Sequence, residues 1–505
     1  MGKKTLSIRR NESLCYPKDA PFDAHIAYPE FPDATVSIEE NQVYNELRHC
    51  LIDLGMDSRN MGMEDWSPFS DIINPGDTVV IKPNLVINTT DPSMQECTTT
   101  HPSVIRPVID YCWKALKGAG LIIVGDASGA EADFDIIISR TRIKETIDIL
   151  KIRGINVRLE DFRAVKVTTE NGVWTGEQRT VHSVASSQIV DLGEESQFYT
   201  SRSRAVKLHG AGYDICATTQ YHSGRVQKYR VSKIILNADV VISLPKLKTH
   251  RKAGVTCCLK NLVGINTDKN YLPHFSMGSL NMGGDEMPPI RSKNVWRMKL
   301  YNFIRERIIA HCWKIIGRPA VLLLRYAKSI GKPKGKPGRE KNVPRGERIN
   351  RDIDLAKWFH NLLSGQRIAA GAWAGNETIC RMILDLNKIF LCCDRQGILG
   401  KHTDRKVFYI VDAIVAGMGN GPTHPVPVCT KMIAAGWNGL KIDVALLNLL
   451  GIDEDSITLY RLAKEKEWMY ANSEGECMYN SRSINGSDRV PVEFIPPDGW
   501  IYHRK

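Results

Sequence analysis

Nowhere in the 505 residues does an apolar run approach the ~18 residues that a membrane-crossing helix requires, so a spanning helix is excluded on length alone. The opening Met1-Gly2-Lys3-Lys4-Thr5-Leu6-Ser7-Ile8-Arg9-Arg10 lacks the apolar stretch of a signal peptide, which predicts a cytoplasmic protein. The thirteen cysteines are odd in number and scattered, and the only close pairs are the neighbours Cys257-Cys258 and Cys392-Cys393. Neither a disulfide framework nor a C-x-x-C metal knuckle fits that spacing; reduced, buried thiols are expected. No internal repeat is evident. The one glycine-rich run, Gly417-Met418-Gly419-Asn420-Gly421-Pro422, is neither a P-loop nor a complete dinucleotide fingerprint, so no nucleotide or other cofactor is assigned.

With 43% hydrophobic and 25% charged residues, the chain has the composition of a globular protein with a large core. Its formal charge of +12 favours acidic partners. Residues 1–76 read as an N-terminal extension with one helix over Glu39 to Leu54. From Thr78 the pattern changes. Thr78-Val79-Val80-Ile81 is a buried-strand run that breaks into Lys82-Pro83-Asn84. Thr99-Thr100-His101-Pro102 then supplies a hydroxyl cap and an early proline for a helix that ends near Gly118 and Gly120. Leu121-Ile122-Ile123-Val124 follows, running into Gly125-Asp126-Ala127-Ser128-Gly129. Strand, helix and fully apolar strand make a βαβ unit and imply a parallel sheet.

Residues 156–230 alternate polar and β-branched side chains and predict an antiparallel elaboration. The core resumes at Ala238 to Leu244, which breaks into Pro245-Lys246-Leu247-Lys248-Thr249-His250, and again at Val407 to Val411, which leads to Asp412 and the glycine-rich run. The expected fold is therefore α/β: a mainly parallel sheet flanked by helices, its core divided into 77–293 and 352–470, with a C-terminal extension over 471–505. Between the two parts, 294–351 forms an insertion. Trp296, Leu300, Ile304, Ile308, Cys312 and Ile315 fall at helical spacing among basic residues, ahead of a stretch over Gly331 to Arg351 rich in Lys, Arg, Gly and Pro that is expected to be exposed or mobile.

In open α/β sheets ligands lie beyond the carboxyl ends of the strands. Four strands here end in unusual polar residues: Lys82 and Asn84; Asp126 and Ser128; Lys246, Lys248 and His250; Asp412 and Asn420. Lys260 and Asn261 follow in Leu259-Lys260-Asn261. Crowded ammonium groups suit phosphate or carboxylate oxygens and lower one another's pKa, so one lysine can act as a base; a solvated basic turn is the plain alternative. His101 fits either an anion site at a helix N-terminus or a simple cap. Asp126 fits an acid, a base, a metal ligand or a turn cap. A metal held by His101, His250 and Asp126 has a plausible ligand chemistry that spacing alone does not establish. Arg381, Asp385 and Asn387, polar within the helix-like Ile379 to Phe390, suggest an internal ion pair.

Ile81-Lys82-Pro83-Asn84-Leu85, Thr100-His101-Pro102, Gly125-Asp126, Leu244 to His250, Leu259-Lys260-Asn261-Leu262-Val263-Gly264 and Asp412 to Pro422 together resemble the family called domain of unknown function 362, over about Asp77 to Gly451. The resemblance implies no settled activity. Many members look like fusions to a ferredoxin-type iron-sulfur module, but this chain has no C-x-x-C-x-x-C-x-x-x-C run for such a cluster.

Two functions follow as expectations. In the first, an enzyme acts on a small phosphorylated or carboxylated metabolite: Lys82, Lys246 and Lys248 clamp the anion, His250 or Lys260 moves a proton, and Asn84 and Asn261 orient the substrate, with Asp412 and Asn420 at the rim. Racemisation, ligation and group transfer all suit that set. In the second, a scaffold without catalysis binds an anionic membrane surface through 294–351. Nucleic acid ranks last, since no recognised motif accompanies the charge.

Overall fold

The computed structural model describes residues 3–89, 91–170, 173–179, 186–199, 207–210, 215–304 and 368–505. Of the predicted basic insertion, Val295–Ile304 is helical, whereas Ile308, Cys312, Ile315 and the stretch over 331–351 lie outside the described residues.

Eleven strands build the main sheet: β1 (Lys4–Arg10), β2 (Thr78–Pro83), β3 (Leu121–Asp126), β4 (Val157–Asp161), β5 (Val240–Leu244), β6 (Lys246–His250), β7 (Gly254–Thr256), β8 (Lys406–Asn420), β9 (His424–Gly436), β10 (Glu476–Tyr479) and β11 (Arg482–Ser483). Their order is β11-β10-β1-β9-β8-β5-β2-β3-β4, with β6 on β8 and β7 on β6. From β4 through β3, β2 and β5 to β8 every pairing is parallel. β9 turns back antiparallel on β8 and lies beside β1. The segments read as terminal extensions thus contribute β1, β10 and β11 to the sheet.

Strand alternation sends each apolar run to both faces. Val79, Ile81, Val240 and Ile242 face one core with α1 (Gln42–Asp53) and the helix over Pro102–Leu116; Val80, Ile123 and Val241 face a second core with the helices over Thr378–Cys392 and Gly439–Leu449. The apolar runs at Thr78, Leu121, Val240 and Val407 are therefore strands covered on both sides, as their lack of alternation implies.

The elaboration over 156–230 is antiparallel where it leaves the main sheet: Val165–Glu170 pairs with Val173–Arg179, and Val226–Ser232 with Ser187–Asp191. Val157–Asp161, included in that stretch, instead forms the parallel edge strand β4. The chain runs β2, β3, β4 in one direction and then returns to place β5 on the other side of β2. That reversal is a topological switch point, the position beside which ligands bind in open α/β sheets.

Candidate functional site

Pro245 ends β5, and the chain peels away as β6 to pair with β8 at Lys246 and Asp412. A strand's two-residue period puts Lys246, Lys248 and His250 on one face, while Leu247 joins the core on the other. All three polar side chains are buried, the two lysines completely.

Lys82, at the end of β2, is fully buried; its Nζ lies 2.8 Å from Asp126 Oδ1 at the end of β3 and donates to Asn261 Oδ1 at 3.1 Å. Asp126 Oδ2 also accepts the Leu85 N–H at 2.8 Å. Asn84 Nδ2 donates to the same Asn261 oxygen at 3.1 Å, and Asn84 Oδ1 accepts from Lys248 Nζ at 2.6 Å. Lys248 makes a second donation to the Thr98 carbonyl. Asn261 sits in a short helix, α2 (Cys258–Asn261), whose first N–H groups are held by the buried carboxylate of Asp443: Cys258 N donates to it at 2.8 Å and Leu259 N at 3.2 Å.

A second ion pair closes the other side. Lys246 Nζ lies 3.0 Å from Asp412 Oδ2, and the same oxygen accepts the His101 N–H at 2.9 Å. The Tyr16 hydroxyl donates to Asp412 Oδ1 and accepts from Lys246, while its ring stacks on His101 with centroids 4.0 Å apart. Lys82, His101, Lys246 and Asp412 therefore converge on one rim.

Burial governs the protonation states. It lowers the pKa of Lys82 and Lys246 despite their carboxylate partners. Lys248 has no carboxylate; burial and then the charge of Lys246 push it well below the ordinary lysine value. Burial followed by repulsion from Lys82 brings Lys260 to about 8, and burial brings Lys269 to about 7 although Asp126 opposes the shift. Burial holds both His101 and His250 well below the ordinary imidazole value, helped by Lys246 for the first and Lys260 for the second. Each is a neutral ring at pH 7. His101 Nδ1 accepts the Ser103 N–H at 3.2 Å, and His250 Nδ1 accepts the N–H groups of Lys252 and Ala253 at 3.2 and 3.1 Å. The ring proton of each accordingly sits on Nε2.

Several expectations need correction. The predicted hydroxyl cap of the helix over Pro102–Leu116 is replaced by His101, in keeping with the capping reading of that residue, while the Thr100 hydroxyl bridges the Asn84 N–H and the Leu244 carbonyl. Asn420 is not joined to the lysine network: its side chain donates to Asp498 at 2.9 Å. His101, His250 and Asp126 do not gather as a metal site; among the described residues, the groups with ligand atoms within 4.8 Å of one another are Cys257-Cys258-Asp443 and Asp453-Glu454-Asp455. Arg381 and Asp385 are not paired. Arg381 meets Glu377 at 3.3 Å, and Asp385 accepts from Ser196, the Gln197 N–H and Tyr229.

Sequence reasoning missed Tyr16, which lies in a stretch with no periodic pattern, and Lys269, whose position beside Asp126 depends on the tertiary fold. It also missed a cavity of about 690 Å³ at the opposite end of the sheet, lined by Arg405, Lys406, Trp437 and Trp468. Arg405 is already engaged there, donating to the carbonyls of Phe390, Leu236 and Cys393.

The molecule is thus an α/β protein built on a large, mostly parallel sheet, with a buried lysine–asparagine network at the switch point. The chain belongs to the family described as Domain of unknown function (DUF362), which matches it over residues 79–190 and 173–448. Among solved structures it is similar to a protein from Thermotoga maritima known from its crystal structure, with 9% identity over 82% of this chain and a TM-score of 0.28. The match covers 58% of that chain's length. No curated protein matches the sequence. No described helix is long and apolar enough to cross a membrane.

Proposed function

We propose that this protein is an enzyme that binds a small phosphorylated or carboxylated metabolite at the strand ends and uses Lys248 to move a proton. The observation that carries this reading is the bonding of Lys248. Its buried Nζ meets two neutral acceptors, Asn84 Oδ1 and the Thr98 carbonyl, and no carboxylate. A neutral amine satisfies both acceptors with its two N–H bonds and keeps its lone pair to accept a proton. Lys82–Asp126 and Lys246–Asp412 are self-neutralised pairs that fix Asn84 and the rim around it. His250, with Nδ1 occupied, is a donor through Nε2 and not a base. The setting is intracellular in this reading, and no cofactor is invoked.

The test is melting-temperature titration with inorganic phosphate, 3-phosphoglycerate and succinate, followed by proton NMR of 3-phosphoglycerate and succinate, the two that carry C–H bonds, each incubated with the protein in D2O. Lys248→Met should leave stabilisation in place and abolish deuterium uptake into the compound. Stabilisation by none of these anions removes the binding half of the proposal; exchange that persists in Lys248→Met removes the other half.

A second reading, attachment to an anionic membrane surface, is favoured by one feature. In α3 (Val295–Ile304), Met298 and Tyr301 are buried, while Trp296, Leu300 and Phe303 form an exposed stripe one helical face wide, with Arg297 and Lys299 exposed beside it. Co-sedimentation with phosphatidylglycerol vesicles, lost on exchanging the three stripe residues for serine, supports this role; no sedimentation of the unaltered protein rejects it.

A further inference from the structure

A lysine already facing a carboxylate brings no net charge to a ligand. Lys82 and Lys246 are in that position, opposite Asp126 and Asp412. Lys252, close to Asp285 and Glu286, is partly offset in the same way. Two further cations share only Asp126, a carboxylate already paired with Lys82, so three ammonium groups face one negative charge. Lys260 is half-buried and next to Asn261, and its ammonium group makes no hydrogen bond or ion pair among the described residues. Lys269 reaches only main-chain oxygens, Ala127 O at 2.8 Å and Asn266 O at 3.2 Å.

The loop between them holds a buried group with an unmet need. Ser128 is 2% exposed, and its hydroxyl has no hydrogen-bond partner among the described residues. Desolvating a hydroxyl without a partner costs about 1–3 kcal/mol, so such groups are rare unless something else meets them. Ser128 follows Ala127, whose carbonyl takes Lys269 and whose N–H goes to Gly264 O at 3.0 Å, in the 3-10 turn that directly follows the helix carrying Lys260. Two surplus ammonium groups and an unpaired hydroxyl thus belong to segments bonded directly to one another.

We infer that Lys260, Lys269 and Ser128 form the subsite for the doubly charged phosphate of a phosphate monoester, beside the Lys248 amine and distinct from the Lys82 and Lys246 ion pairs. The inference rests on the reading of the site given above and sharpens it. Two uncompensated cations match a dianion; a carboxylate would leave one of them unbalanced. Ammonium groups with a hydroxyl suit the tetrahedral array of phosphate oxygens.

Calorimetric titration of the full chain with sodium sulfate, a dianion that does not titrate near neutrality, tests the subsite against sodium acetate. Sulfate should bind at one site and acetate roughly tenfold more weakly or worse. Lys260→Met and Lys269→Met should each weaken sulfate by roughly tenfold, and Ser128→Ala by several-fold, with Lys248→Met close to the unaltered protein. Lys260→Gln and Lys269→Gln are run alongside, each with its melting curve, so that loss of folding is separated from loss of the site. Sulfate binding that survives in folded Lys260 and Lys269 variants but disappears in Lys248→Met overturns the subsite and leaves an anion site at Lys248. Equal affinity for acetate overturns the phosphate assignment. No sulfate binding at millimolar concentration removes the subsite and the anion reading together.

Discussion

Gly264 stands against the carboxylate of Asp126 so closely that a Cβ added to it would lie 2.0 Å from Oδ1. The same carbon would come within 2.6 Å of Lys82 Nζ, so even a methyl group would have to part the buried pair. Gly264→Ala is expected to destabilise the protein by about 3 kcal/mol or more, the range for overpacking combined with a broken buried ion pair. Urea unfolding measures it. The same substitution in a Lys82→Met/Asp126→Ala background should cost clearly less, because the pair it disrupts is gone. Equal costs in both backgrounds would place the strain elsewhere.

Asp412 holds Lys246, the Tyr16 hydroxyl and the His101 N–H at once. Asp412→Asn strands a fully buried ammonium, and a loss of about 3–5 kcal/mol is expected. Asp412→Asn combined with Lys246→Met removes the stranded charge and should recover a large part of that loss. A double variant as unstable as the sum of the singles would show that the two residues act independently.

The anion affinity should depend on pH with a definite sign. Lys260, at about 8, and Lys269, at about 7, bind an anion as cations. Both are charged below pH 7, and both lose charge as pH rises through 7 to 8. Sulfate should therefore bind best near pH 6 and progressively more weakly towards pH 9, with proton uptake on binding near pH 8. Calorimetry in buffers of different ionisation enthalpy reads that uptake directly. Affinity that is flat across this interval, with no proton uptake, would contradict the assignment.

His101 offers a cleaner separation of roles. Its Nδ1 caps the helix over Pro102–Leu116 by accepting the Ser103 N–H, a task that an asparagine oxygen performs equally well. Both His101→Asn and His101→Ala lose the stacking on Tyr16, so His101→Asn should be more stable than His101→Ala by about 1 kcal/mol, the worth of the cap. If sulfate affinity is unchanged in His101→Asn, the residue serves the fold; a selective loss of affinity would instead make its Nε2–H part of the site.

The legible part of the site lies wherever a polar residue follows a fully apolar strand. Lys82, Asp126 and Lys246 were marked by that boundary alone, because a strand covered on both faces must end at the sheet's rim. Asn84, Lys248 and Asn261 followed from their neighbours. Tyr16 carried no such mark: its role depends on the first strand lying beside β9, a pairing of residues 6–10 with residues 432–436. Charge compensation was equally hidden. Lys82, Lys246 and Lys248 look alike in sequence, yet two face carboxylates across the sheet and one does not. In the helix over Thr378–Cys392 the spacing of Arg381 and Asp385 suggested an ion pair, but tertiary partners on Ser196 and Tyr229 claimed the aspartate first.

Tyr16 and Asp412 are separated by 396 positions, and their hydrogen bond joins the start of the chain to its last long parallel strand. Contacts that span so much sequence form late, after the entropy of closing the intervening loop has been met. Under the proposed function, a polypeptide that lacks Tyr16 or Asp412 lacks the complete network, and affinity for an anion then gauges finished assembly. By mass action, such a ligand at a hundredfold excess over its Kd would hold the completed sheet together by roughly 2.7 kcal/mol.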